Sequence, residues 1–169
     1  YPAPIVDHAV SRAQALELAV PPEREGMAAA RLPGRGRAFR EVPVDDAGWD
    51  IGMVIVAVNQ KAKEVSSRIG MKRTVETSPF YPAWVESAKK DIQDIKAAIA
   101  AKDFIRLGEI TEANGMKMHG TMLGAEPPFS YWEPDSIVAI KTAQALRKQG
   151  IPCYVTMDAG PNVKVLCRL

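Results

Sequence analysis

Hydrophobic and polar positions alternate, cluster or recur along this chain in ways that divide it into elements. The stretch "WDIGMVIVAV", residues 49–58, is apolar on both faces and rich in β-branched residues. That pattern predicts a strand buried in the middle of a sheet. "NQKAKEVSSRIGMKRT", residues 59–74, is polar and charged and reads as a loop. Ser78-Pro79 and Tyr81-Pro82 each offer a helix start, because proline fits the first turn, where its missing N–H is not needed. The following segment places Trp84, Ala88, Ile92, Ile95 and Ile99 at spacings of three and four, the stripe of an amphipathic helix. Asp103 is placed to cap a second helix carrying Phe104, Leu107, Ile110, Asn114 and Met118, and the short joint between them predicts an antiparallel pair.

Beyond these helices, "GAEPPFSYWEP", residues 124–134, reads as a Pro- and aromatic-rich loop. Asp135 or Ser136 is expected to cap a third helix that stops at Gly150, a C′ glycine. The chain then alternates with period two. Ile151, Cys153, Val155 and Met157 oppose Pro152, Tyr154, Thr156 and Asp158; after a turn through 159–162, Val163, Val165 and Cys167 oppose Lys164 and Leu166. Strand, loop, three helices, strand and strand predict an α+β fold, helices on one face of a mainly antiparallel sheet.

The first 45 residues stand apart. They carry arginine but no lysine, six prolines and no sustained periodicity beyond a possible short helix over residues 7–20. We expect a poorly specified segment over 1–45 and a domain over 46–169.

Composition narrows the classes. The chain has 169 residues, 47% hydrophobic and 25% charged, with a net charge of +2. These are globular proportions without the basic excess of a general nucleic-acid or membrane binder. With no signal core or bilayer-length apolar run, a cytoplasmic protein is expected. A hairpin centred on Gly160 sets the two cysteines, Cys153 and Cys167, opposite one another, where they read as small core residues rather than a disulfide.

Candidate chemistry falls on two stretches. Asp158 sits at the mouth of the hairpin turn, either serving the turn's backbone or facing a ligand. Ser66, Ser67 and Arg68, with Lys61, Lys63, Lys72 and Arg73 nearby, suit a diphosphate, since a guanidinium binds one bidentately; a solvated charged loop is the alternative. "GRGRAF", residues 34–39, lacks phosphate-loop spacing. His8 and His119 have no cysteine partners at zinc-ligand spacing, and His119 reads as a helix-surface or interface residue. "PPFSYW" reads as a packed loop cover rather than a ligand cage.

Taken together, "VSSRIGMKRTVETSPFYPAWV", "GEITEANGMKMHGTMLGAEPPFSYWEPDS" and "YVTMDAGPNVKVL" resemble the bacterial diphosphomevalonate decarboxylases of the GHMP small-molecule kinase superfamily, over about residues 46–168. The resemblance implies a GHMP kinase C-terminal-domain-like fold and a homodimer. It further implies ATP- and Mg²⁺-dependent conversion of mevalonate 5-diphosphate to isopentenyl diphosphate, a step of the mevalonate pathway. By position, Asp158 is the catalytic carboxylate, and Ser67 and Arg68 hold the substrate diphosphate. The family's Gly/Ser-rich ATP loop has no counterpart here, so the chain reads as the substrate-side half, with little activity alone. A non-catalytic diphosphate-binding or interaction domain, or a related GHMP kinase, is the alternative.

Overall fold

The computed structural model describes residues 48–59 and 63–168. The possible helix over 7–20, the 1–45 segment, the 34–39 stretch, Lys61 and His8 lie outside the described residues. From Asp50 onward the chain forms one compact unit. Its elements are β1 (Ile51–Val56), α1 (Ser67–Thr77), α2 (Tyr81–Ala100), α3 (Phe104–Leu123), α4 (Pro134–Lys148), β2 (Cys153–Thr156) and β3 (Val163–Arg168).

The three strands form one antiparallel sheet in the order β1-β3-β2. Cys153 pairs with Cys167, the register expected of a hairpin centred on Gly160. Both thiols are free; Cys153 donates to Ala143 O at 3.4 Å and Cys167 to Gly52 O at 3.6 Å. The middle strand is β3. The expectation of a central strand at 49–58 is therefore corrected: among the described strands β1 lies at an edge, and Val54 and Ile55 are 55% and 62% exposed.

Helix α4 covers one face of the sheet. Its Ile140 and Ala143 pack with Cys153, Val155, Met157 and Val163, the alternate residues of the hairpin strands. Helix α3 lies against β2, with Gly108 under Tyr154 and Phe104 edge-on to the same ring at 5.9 Å. Its Glu112 carboxylate accepts from Val155 N at 2.9 Å, occupying a backbone donor on the outer edge of β2, and pairs with Arg147 of α4. That ionic clasp closes an edge that would otherwise present unpaired donors.

Helices α2 and α3 pack on each other as the short joint predicts, and Asp103 caps α3 by accepting from Arg106 N at 2.9 Å. All five stripe residues expected on α3 are buried; on α2, Trp84, Ala88 and Ile99 are buried while Ile92 and Ile95 are half-buried. Of the two proline signals, the second one starts α2, with Pro82 in its first turn. Gly150 ends α4 at φ +89°, a left-handed position that glycine takes without strain.

Three further expectations change. Residues 67–77 form α1 rather than loop: Ser66 accepts from Ile69 N at 3.3 Å, and the buried residues, Gly70 and Thr74, are too small and polar to register as a hydrophobic stripe. Glu133 rather than Asp135 or Ser136 stands at the α4 N-cap, because Pro134 supplies the first turn and Ser136 Oγ accepts from Glu133 N at 3.2 Å. His119 is 2% exposed, its ring 5.3 Å from that of Trp132, so it is a core residue and not a surface one. The aromatic stretch is indeed a packed cover, with Phe129 and Tyr131 set edge to face over Gly70. No described helix is long and apolar enough to cross a membrane.

Candidate active site

β2 ends at Thr156, and Asp158 follows two residues later where the chain turns back into β3. Gly160 N donates to Asp158 O at 2.8 Å, folding the turn tightly over this carboxylate. The side chain of Asp158 is 59% exposed, and its Oδ2 lies 2.5 Å from Lys164 Nζ of β3. Lys164 pairs with Thr156 across the hairpin, so the ammonium rises on the same face as the carboxylate. Asp158 thus faces the open end of the sheet, as expected, although Tyr154 and Thr156 behind it are buried.

The turn is held from three sides. Lys63 Nζ donates to Ala159 O. Ser136 Oγ, at the start of α4, donates to Pro161 O at 2.6 Å. Asn162 Oδ1 accepts from Val58 N at 2.8 Å and Asn59 N at 3.1 Å, beyond the end of β1. A Cβ on Gly160 would stand 3.4 Å from Lys63 Cε, so the ammonium stem lies directly on the turn.

The second half of the site is the N-terminus of α1. Ser67 and Arg68 are its first two residues, both exposed, with Ser66 as the cap and no acid in the first turn. Unpaired N–H groups and the positive end of the helix dipole favour an anion there. Lys63 Nζ reaches Ser67 Oγ at 3.3 Å while holding Ala159 O, so one ammonium joins the helix end to the Asp158 turn. It also lies 5.8 Å from the centre of the Tyr131 ring. The Tyr131 hydroxyl donates to Ser66 O at 3.3 Å, and burial raises it above its ordinary value of 10.0, keeping the proton for that bond.

The geometry therefore brings Asp158 and Ser67 to one locus through Lys63, and sets Arg68 one residue further along the same helix end. Lys63 was only one cation among several in the sequence; its reach to two elements is a tertiary fact. Lys164 was more accessible, since the period-two reading puts it on the Asp158 face. Ser136 and Asn162 gave no signal, because each acts through a backbone partner far away in the chain. Among the described residues, no group of three or more His, Cys, Asp or Glu could hold a metal ion. The helix end, Ser67, Arg68 and Lys63 together suit an anion.

Known proteins share this arrangement of elements. The chain is 56% identical to MDDEF in complex with MVAPP, AMPPCP and magnesium, with a TM-score of 0.68, covering 70% of this chain and 36% of that one. It is 51% identical to the mevalonate diphosphate decarboxylase from Enterococcus faecalis, with a TM-score of 0.70, covering 76% and 38%. Among curated proteins, the diphosphomevalonate decarboxylase of Ganoderma lucidum is 35% identical over 123 residues, 69% of this chain and 31% of that protein. The chain spans about a third of the length of the curated relatives it matches. The mevalonate 5-diphosphate decarboxylase C-terminal domain model matches residues 53–168, and the chain belongs to that family.

Proposed function

We propose that this chain is the substrate-diphosphate and carboxylate side of a diphosphomevalonate decarboxylase, with residues 46–169 as its domain and 1–45 apart from it. The reaction joins ATP and mevalonate 5-diphosphate and yields isopentenyl diphosphate, ADP, phosphate and CO₂, within isoprenoid biosynthesis. The observation that carries the reading is Lys63, whose ammonium touches both the anion-binding end of α1 and the turn that bears Asp158.

The diphosphate sits at the α1 N-terminus, accepting from backbone N–H groups, the Ser67 hydroxyl and the Arg68 fork. Fixing that unreactive end brings the 3-hydroxyl to Asp158. A tertiary alcohol is a weak nucleophile; the Asp158 carboxylate orients it and takes its proton as the O–P bond forms. The same negative charge then stabilises the cationic carbon that develops as phosphate departs, before CO₂ is lost. Lys164 holds the carboxylate in place between these steps. ATP supplies the phosphoryl group, and with Mg²⁺ it would bind through residues outside those described.

Alone, the chain binds the diphosphate and does not turn over. A non-catalytic diphosphate-binding or interaction domain is the second reading, since the α1 N-terminus with Ser67 and Arg68 suits an anion whether or not Asp158 reacts. A related GHMP kinase would phosphorylate without releasing CO₂. A cytoplasmic setting without nucleic-acid or membrane partners belongs to the same reading, in keeping with the balanced charge of the chain. The family resemblance supports a homodimer.

Calorimetry with mevalonate 5-diphosphate tests the binding half, with loss of roughly tenfold or more in affinity expected for Arg68→Ala. ATP-dependent CO₂ release by the full enzyme tests the chemistry: Asp158→Asn should abolish it, and near-normal turnover by that variant would refute the assignment.

A further inference from the structure

Five residues from three parts of the fold close a ring of hydrogen bonds around the Asp158 turn. Asn162 Oδ1 accepts from Asn59 N at 3.1 Å and Val58 N at 2.8 Å. Asn59 Nδ2 donates to Glu133 Oε1 at 2.7 Å. Glu133 N donates to Ser136 Oγ at 3.2 Å, and Ser136 Oγ donates to Pro161 O at 2.6 Å. Pro161 is bonded to Asn162, so the ring is complete.

We propose that Ser136 and Asn162 are positioning residues that aim Asp158 by locking its turn to the end of β1 and the start of α4. This rests on the reading of Asp158 as the carboxylate that meets the substrate hydroxyl. The need for such a device follows from exposure. Packing cannot fix a side chain that is 59% exposed, whereas the hydroxyl that anchors its turn is wholly buried, Ser136 being 0% exposed. A buried hydroxyl that both donates and accepts has one rotamer to satisfy both partners. It therefore transmits the position of α4 to Pro161 O without slack. Asn162, next to Pro161, accepts from two successive amides and ties the same end of the turn to the residues just past β1. Between the buried Met157 and the anchored Pro161 lie only Asp158, Ala159 and Gly160, and Gly160 N closes onto Asp158 O at 2.8 Å. Holding Pro161 and Asn162 thus sets where the Asp158 carboxylate stands.

Amide hydrogen exchange and turnover, measured on Ser136→Ala, Asn162→Ala and Asn162→Asp, test the circuit. Ser136 does not touch Val58 or Asn59, so a purely local capping role leaves their amides unchanged. The circuit instead predicts that Ser136→Ala speeds exchange at Val58, Asn59 and Gly160 by roughly fivefold, the equivalent of one lost hydrogen bond, while α2 amides hold. Asn162→Asp retains an acceptor oxygen and restores protection that Asn162→Ala loses. In the full enzyme, kcat for CO₂ release should fall by about tenfold or more in Ser136→Ala, with KM for mevalonate 5-diphosphate within about threefold, because the diphosphate is held elsewhere. Unchanged exchange at Val58 and Asn59, or a KM rise without a kcat loss, overturns the proposal. If the unmodified enzyme releases no CO₂, the functional reading falls, and the positioning of Asp158 for that reaction falls with it; exchange then reports on the circuit alone.

Discussion

Gly108→Ala is the sharpest test of how β2, the strand leading to Asp158, is seated. A Cβ at Gly108 would fall 1.9 Å from Tyr154 Cδ2, 2.3 Å from Cγ and 2.4 Å from Cε2. These are inner ring atoms of a side chain that is 4% exposed, with Phe104 at its edge and the Arg147 guanidinium 4.6 Å from its centre. The ring cannot swing away, so either α3 or β2 must move. Alanine gains about 0.5–1 kcal/mol over glycine in a helix interior, and overpacking costs about 1–3 kcal/mol or more. The clash dominates, leaving the variant less stable by roughly 1–2 kcal/mol, a urea midpoint lower by roughly 1 M. Gly120 on the same helix is the control. A Cβ there meets nothing within 4 Å, so Gly120→Ala should stabilise by about 0.5–1 kcal/mol. Equilibrium urea unfolding of both variants decides the matter. If Gly108→Ala matches or exceeds the native chain, the seat of Tyr154 on α3 is not as described.

Other perturbations separate stability from chemistry. Glu112→Ala strips the acceptor from Val155 N and leaves Arg147 without its bidentate partner, both largely buried; a loss of about 2–3 kcal/mol in urea unfolding is expected. Lys164→Met breaks a pair whose carboxylate is mostly exposed, so stability should change by less than about 1 kcal/mol while CO₂ release by the full enzyme falls; intact turnover would remove Lys164 from the mechanism. Burial raises Tyr81, Tyr131 and Tyr154 above their ordinary 10.0 and Cys153 above 9.0. Each group keeps its proton longer when folded, so this stability is fully present below the ordinary values and is lost as pH rises through the folded ones. Urea midpoints should be level to about pH 9 and fall above about pH 10, and tyrosinate absorbance should appear mainly on unfolding.

Where sequence and structure agree, the signal was periodic burial. Phe104, Leu107, Ile110, Asn114 and Met118 recur at helical spacing because α3 buries one stripe, and Cys153 meets Cys167 because a period-two hairpin has one register about its turn. Helix α1 escaped the same reading for a physical reason. It docks through Gly70, where a Cβ would stand 2.5 Å from the Tyr131 hydroxyl and 2.9 Å from Phe129 Cε2. Close approach needs the absence of a side chain, and absence leaves no hydrophobic period. β1 misled in the opposite sense: its unbroken apolar run reads as a central strand, yet Val54 and Ile55 are exposed on an edge. Asp158, Ser67 and Arg68 were singled out through motif resemblance, whereas the contact of Lys63 with both stretches they occupy emerges only from the fold.

Why the site is held by side chain to backbone hydrogen bonds, while the fold is held by packing, follows from the two ends of β2. At the Tyr154 end, an aromatic ring is locked by Gly108, Phe104 and Arg147, and any change of volume is felt at once. At the Asp158 end the proposed role needs a carboxylate open to the substrate, and the side chain is left exposed rather than packed. Ser136, Asn162 and Lys63 meet this conflict by gripping the turn's backbone from behind and leaving its exposed carboxylate outward. Each grip contributes only about 1 kcal/mol of stability, so removing one leaves the domain folded while the carboxylate loses its aim. Substitutions at the two ends of one strand should therefore separate cleanly, those near Tyr154 lowering the unfolding midpoint and those around the turn lowering kcat. On the proposed function, that division lets a reactive carboxylate sit on a surface turn without the fold depending on it.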